Sequence, residues 1–183
     1  VAALDAALQK AAKVPIAPSA TSREDLYNLL IGEGRFKGMN VDRRRELWNR
    51  WKKTLKRKFL DFRGYDFSGR DLSEFNLSEG KFERANFRKA NLQETWITDA
   101  DLYKANFEEA NLEKALLSNS DLRKANFTKA NLKKTSFTKA ELGDSKFEGV
   151  HLESTLLYGA KYNKRTQWPF GFDPKDRGAI LEA

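Results

Sequence analysis

The chain has no cysteine and a single histidine, His151. Disulfides, thiolate catalysis and zinc sites built on Cys or on several His are thereby excluded. It also lacks any run of about 20 apolar residues, the length a helix needs to cross a bilayer. No phosphate-binding loop and no Gly-rich dinucleotide fingerprint occur. Its first residues hold no charged stretch followed by an apolar core, so no signal peptide is expected in the sequence as it stands. No catalytic group, metal site, cofactor or small-molecule substrate is expected.

What is present is charge, Phe and Leu. The net charge is +8, and its location matters more than its size. Residues 1–59 hold 14 Lys/Arg against 6 Asp/Glu, residues 60–164 hold 17 against 17, and residues 165–183 hold 3 against 3. All of the excess therefore precedes residue 60. With 40% apolar residues the chain has too much Phe and Leu for a disordered polymer.

An internal repeat organises the middle of the chain. Over residues 62–162 every fifth residue is large and apolar: Phe62, Phe67, Leu72, Leu77, Phe82, and so on to Leu157 and Tyr162. Two positions earlier lies a small residue, as at Ala85, Ala90, Thr95 and Ala100, and between them a polar one, as at Asn86, Asn91 and Asp101. A period of five suits neither regular element. On a helix five residues advance about 500°, which spreads the large residues around the axis. On a straight strand an odd period throws them to alternate faces. The chain must turn at a fixed interval so that each large residue points inward.

A longer period fixes the number of sides. Ala85-Asn86-Phe87 returns as Ala105-Asn106-Phe107 and as Ala125-Asn126-Phe127, a spacing of 20, or four pentapeptides. Sorted this way, one column of centres is pure Phe (Phe67, Phe87, Phe107, Phe127, Phe147) and the next pure Leu (Leu72, Leu92, Leu112, Leu132, Leu152). Identical side chains stacked layer on layer suit a solenoid core.

The A-(D/N)-(L/F)-x-x pattern, in 21 consecutive matches over residues 60–164, resembles the pentapeptide-repeat family. That resemblance implies a mainly β protein, a right-handed quadrilateral β-helix of about five coils of four pentapeptides. The first repeats depart from the pattern, with Leu60, Tyr65, Arg70, Phe75 and Gly80 in the small-residue slot. The first coil is thus expected to be distorted or to pack against the N-terminal segment, with Phe75 as a contact.

A solenoid needs caps at its ends. Residues 1–59 read as a basic helical segment: a first helix at 2–12, a second at 23–31 opened by Ser22 and Asp25 and ended by Gly32, and a third at 41–59 whose Trp48, Trp51, Leu55 and Phe59 make one apolar stripe. Residues 165–183 read as a C-terminal capping tail in which Trp168, Phe170 and Phe172 cover the last coil. This tail resembles those that follow the repeats in cyanobacterial pentapeptide-repeat proteins. The expected location is cytoplasmic, with the thylakoid lumen or periplasm open if a leader preceded Val1.

Two surface features are candidate binding sites. Arg43, Arg44, Arg45, Lys52, Lys53, Lys56, Arg57 and Lys58 would form a basic face on the third helix, able to attract an acidic protein, nucleic acid or an anionic membrane. Second, on the side carrying Leu77, Ile97, Leu117, Phe137 and Leu157, the usual polar slot holds Trp96, Leu116, Ser136 and Leu156, with Tyr158 close by. An apolar strip there suits a protein interface or self-association. His151 lies in an outward polar slot and is expected to be a solvated turn residue. The chain is therefore expected to be a non-catalytic protein-interaction, scaffold or regulatory module. Some family relatives bind DNA gyrase by imitating duplex DNA, a role that wants a strongly acidic rod, whereas this one is neutral.

Overall fold

The structure is a computed structural model, and it describes residues 23–53 and 60–182. The helix expected at 2–12, the cap at Ser22, and Leu55, Lys56, Arg57, Lys58 and Phe59 lie outside the described residues.

Two helices come first. Helix α1 (Arg23–Ile31) carries Glu24 and Asp25 in its first turn, where they complement the helix dipole, and buries Leu26, Leu29 and Leu30. Gly32 follows at φ +73°, the left-handed position that ends many helices, and a Cβ there would press on the Arg44 guanidinium. Helix α2 (Val41–Lys52) starts at Asn40, whose side chain accepts a hydrogen bond from the Arg43 N–H at 2.9 Å. It spans to Lys52 and buries Arg44, Leu47, Trp48 and Trp51 on one stripe; the rest of the expected helix, 54–59, lies outside the described residues. The predicted Trp48–Trp51 stripe holds as far as the described residues go.

From residue 60 onward the chain returns over itself every 20 residues. Parallel bridges join Asp61 to Lys81, Lys81 to Asp101 and so on to Lys161; others join Asp66 to Asn86, Asp71 to Asn91 and Asn76 to Trp96 in the same manner. Each return is one layer with four sides. Regular strands are almost absent because each straight segment is only a residue or two long before the next turn. The two named strands, β1 (Lys161–Tyr162) and β2 (Ile180–Leu181), pair in parallel at the C-terminal end.

One pentapeptide shows why the repeat has its composition. The Asn86 N–H donates to Tyr65 O in the layer below, at 2.9 Å. Those of Phe87 and Lys89 donate to Asn106 O and Glu108 O in the layer above, at 2.7 and 2.9 Å. The Ala90 N–H closes the turn on Phe87 O at 3.0 Å. The remaining one, on Arg88, donates to the Asn86 side-chain Oδ1 at 3.1 Å. All five backbone donors are satisfied, which a buried or half-buried backbone requires. Asn or Asp fills the outward slot because its oxygen reaches the N–H two residues on. The amide of each Asn also donates to the slot residue one layer below, as Asn111 does to Asn91 at 3.1 Å and Asn91 does to Asp71 at 3.1 Å.

At the fourth position of the units up to Gly149, φ is near +60°: Arg84, Lys89, Lys104, Lys124 and Lys134 are examples. Positive φ at the third turn residue, with the turn bond closed behind it, is type II geometry. Non-glycine residues hold it because their N–H groups are fixed by the layer above, and their long side chains project from the corners.

The Phe column stacks face to face. Ring centroids of Phe67, Phe87, Phe107 and Phe127 lie 5.0 Å apart and the rings are within 7° of parallel. Phe147 continues the stack at 5.1 Å and Trp168 ends it at 4.7 Å. Small slots filled by Thr instead of Ala turn the hydroxyl to a carbonyl, as Thr95 does to Leu72 O at 2.8 Å.

The irregular first repeats are where the helices seat. Tyr65 packs edge-on to Tyr27 at 4.8 Å, and Phe75 is buried beside Trp48 at 6.4 Å. Arg70 pairs with Glu33 at 3.2 Å. With no layer beneath it, the first layer can fill its small slots with bulk and contact the cap. It is not distorted: its bridges are as regular as the rest. At the far end Trp168 and Phe172 pack on the core, but Phe170 is fully exposed, so it does not cover the last layer as expected. The Pro169 carbonyl accepts from the Phe172 N–H in a tight turn, and Phe170 stands at its tip.

Two substitutions test this packing. Phe107→Ala opens a gap in mid-stack and should cost about 3–5 kcal/mol in urea unfolding. Gly80→Ala puts a Cβ 2.3 Å from Phe82 Cε2 and should cost about 1–3 kcal/mol, although it adds only one methyl group.

Candidate functional site

The fourth side of the rod differs from the other three. Bridges align Asn76, Trp96, Leu116, Ser136 and Leu156 in one outward column. Trp96 is 54% exposed, Leu156 57% and Tyr158 71%, while Leu116 is half-buried and Ser136 buried. Beside the column runs a row of small hydroxyl residues, in which Thr98 Oγ1 donates to Ser78 Oγ at 3.0 Å, and Ser118 Oγ bonds across to Ser136 Oγ of the column at 3.1 Å. The four sequence-predicted residues Trp96, Leu116, Leu156 and Tyr158 thus lie together on one flat face.

At Trp96, Leu116 and Leu156 this face gives up a hydrogen bond that the Asn and Asp slots keep. Neither Leu nor the donor-only Trp indole offers an acceptor to the N–H two residues on. The Thr98 N–H turns to Ser78 Oγ in the layer below instead, at 3.1 Å. An outward Asn would satisfy the backbone and keep the side chain polar. Trp96, Leu116 and Leu156 do neither.

At the lower end the face meets α2. An open groove of about 780 Å³ lies between Asn49, Lys52 and Lys53 of the helix and Trp96 and Leu116 of the rod. Sequence reasoning missed this groove, because it exists only where the cap overhangs the first layer. The face is also flanked by charged corners. On one edge stand Glu74, Glu94, Lys114 and Lys134, and on the other Glu79, Asp99, Asn119 and Lys139. Their order along the rod was legible only as single residues, since two pentapeptides contribute the two edges.

The expected basic face is not a free surface over its described part. Arg44 turns inward: it is 7% exposed, donates to Leu29 O and Leu30 O, and lies over the Phe75 ring at 6.0 Å. Burial pulls its pKa below the ordinary value of a guanidinium. Arg45 donates to Ser73 O at 3.0 Å and pairs with Asp42 and Glu74. Arg43 pairs with Glu46 on its own helix. Lys52 donates to Asn76 Oδ1 at 2.6 Å and to Ser78 O at 2.7 Å. Lys53 is exposed at the groove, and Lys56, Arg57 and Lys58 lie outside the described residues. The physical reason is helical geometry: residue 44 shares the stripe of Leu47, Trp48 and Trp51, so its charge faces the cap interior. His151 is exposed, its Nδ1 3.8 Å from the Glu153 carboxylate. Among the described residues no cluster of acidic or His side chains could hold a metal ion, and no helix is long and apolar enough to cross a membrane.

With this geometry in view, the comparisons are specific about the repeat. The description "Pentapeptide repeat region" matches residues 76–147. A pentapeptide repeat protein, Rfr23 from the cyanobacterium Cyanothece 51142, is 31% identical with a TM-score of 0.40, over 54% of this chain and 63% of that one. QnrB1, a plasmid-mediated fluoroquinolone resistance protein, is 15% identical with a TM-score of 0.51, over 66% of this chain and 62% of that one. The pentapeptide repeat protein alr5209 from Nostoc Pcc 7120 is 22% identical with a TM-score of 0.42, over 67% and 84%. The chain spans less than two thirds of the length of the first two. No curated protein matches. Residues 76–147 match the pentapeptide repeat, and the fold of the repeat region is similar to the right-handed β-helix of such proteins.

Lys52 offers a test of how tightly the cap seats. Burial lowers its pKa from 10.5 to about 8. The folded value lies below the unfolded one, so between about pH 8 and 10.5 unfolding takes up a proton and stability rises with pH. Below about 8 Lys52 is charged in both states and the burial penalty is present in full. Wild type should therefore gain stability over Lys52→Met as pH is raised from 7.5 to 10 in urea titrations. No gain would mean that the ammonium is not buried against the rod.

Proposed function

We propose that this chain is a non-catalytic protein-interaction module of scaffold or regulatory type, which docks a protein through the fourth side of its rod. Residues 60–164 make the rod, about five coils of four pentapeptides. Of the basic N-terminal segment, residues 1–59, the described part (23–53) caps the first layer, and residues 165–182 cap the last. The observation that carries this reading is the trade at Trp96, Leu116 and Leu156. A solvated turn on this scaffold is best served by Asn, as the second and third sides display. Holding Leu116 and Leu156 there withholds a side-chain acceptor from the N–H two residues on, a bond worth about 0.5–1.5 kcal/mol, and exposed Trp96 and Leu156 leave apolar area in water. A partner that covers the face removes that area from water.

The rod's balanced charge opposes the DNA-mimic alternative, which needs dense negative charge along its length. The polyanion alternative is weakened by the inward and paired positions of Arg43, Arg44, Arg45 and Lys52.

The trade makes a signed prediction. Leu116→Asn with Leu156→Asn restores the missing acceptors. The variant should unfold at the same or higher urea concentration, by up to about 1.5 kcal/mol per site. It should also lose the protein captured by wild type from host extract. Undiminished capture would overturn this reading, since a merely structural role for the two leucines predicts a change in stability alone.

A further inference from the structure

The neutral rod is banded. Residues 121–140 carry six basic side chains and one acidic, whereas residues 101–120 carry two and four, and residues 141–160 carry one and four. On the fourth side the banding is ordered. Counting 61–80 as the first layer, the corners are Glu74 and Glu79 in the first, Glu94 and Asp99 in the second, Lys114 and Asn119 in the third, and Lys134 and Lys139 in the fourth. Ser154 and Gly159 hold them in the fifth. Lys114 is paired with Glu94 at 2.8 Å. Lys134 and Lys139 are exposed and have no side-chain partner among the described residues.

We propose that the occupant of this face is a second copy of the chain, packed antiparallel about a two-fold axis that crosses the face at the level of Leu116. The proposal rests on the docking role assigned above to this side. Such an axis keeps each edge of the face opposite the same edge of the other copy and reverses the layer order. The second layer then meets the fourth. Glu94 faces Lys134 of the second copy on one edge, and Asp99 faces Lys139 of the second copy on the other. Asn119, whose amide donates to Asp99 of its own chain at 3.3 Å, meets itself on the axis, and so does Lys114, whose charge is held by Glu94 of its own chain.

Shape follows the same symmetry. The exposed Trp96 comes opposite the small, buried Ser136 of the second copy. Leu116 meets Leu116. The first layer meets the fifth, which brings the protruding Leu156 and Tyr158 of one copy over the groove of about 780 Å³ beneath Asn49 and Lys52 of the other. The Glu94–Lys134 and Asp99–Lys139 pairs, the knob and the hollow are thus complementary under one operation, which an isologous interface demands. A parallel pair, whose axis runs along the rod and exchanges the two edges, would set Glu94 against Asp99 and Lys134 against Lys139, so the same residues oppose it.

One side of a slender rod buries less area than a standard interface, so the dimer should be weak, with a Kd on the order of micromolar to tens of micromolar. Sedimentation equilibrium of the full chain from about 5 to 500 µM brackets that range. Wild type should shift from monomer to dimer. Glu94→Lys with Asp99→Lys should weaken the dimer at least about tenfold, and so should Lys134→Glu with Lys139→Glu. Mixing the two variants should restore a heterodimer, since both edges are then attractive. In this cysteine-free chain, Asn119→Cys should form an intermolecular disulfide on the axis, whereas Ser154→Cys, carried to the far end of the partner, should not. Wild type monomeric throughout, failure of the mixture to recover, or cross-linking at both cysteines would overturn the proposal. If wild type stays monomeric while Leu116→Asn with Leu156→Asn still loses a captured protein, the docking role stands and only the self-pairing falls.

Discussion

The rest of the structure depends on one constraint: the inward and turn-closing backbone donors of a five-residue unit must find acceptors in the unit itself or in the two neighbouring layers. In the Asn86 unit three N–H groups go to adjacent layers, one closes the turn and one goes to the Asn side chain. The unit can be stacked because this pattern is the same above and below. It follows that the outward slot wants Asn or Asp, the inward slot before it wants a small residue, and the centre wants a side chain that repeats its own shape. The near-parallel Phe stack at a 5.0 Å spacing is the packing consequence of that bonding.

The same constraint assigns strain and charge. A corner residue near φ +60° is unfavourable for any side chain but glycine, and many of the corners are Lys, Glu, Arg or Asp. They are tolerated because the layer above fixes their N–H groups. Held this way, long charged side chains project at regular intervals from all four edges. The molecule thereby acquires a surface whose charge can be written layer by layer without touching the core, and the fourth side uses that freedom together with its exposed Trp96, Leu156 and Tyr158.

Much of this was legible in the residues. The period of five, its grouping by four, the Phe and Leu columns and the apolar fourth side all follow from spacing, because a solenoid maps sequence position directly onto side and layer. The caps were less legible. Trp48 and Trp51 announced an apolar stripe, but Arg44 reads as one of three consecutive arginines on a polar face and is in fact buried under Phe75 and the end of α1. Phe170 reads as core and stands in water, since a tight turn between Pro169 and Phe172 decides its direction. Helical and turn segments have no repeat to fix which way a side chain points.

By itself, then, the sequence determined the repeat, the layer period, the identity of the stacked core and the column in which Trp96, Leu116 and Leu156 lie. Only the tertiary structure decided which charges are available and what surrounds that column. Arg45 and Lys52 of α2 are taken up by Glu74, Ser73, Asn76 and Ser78 of the first layer, the groove beside Trp96 arises from the overhang of the cap, and Glu94 and Lys134 border a face formed by a neighbouring pentapeptide. The physical reason is that backbone bonding and core packing are local to a unit and its copies 20 residues away, whereas exposure and electrostatic pairing depend on whichever other segment comes to lie alongside.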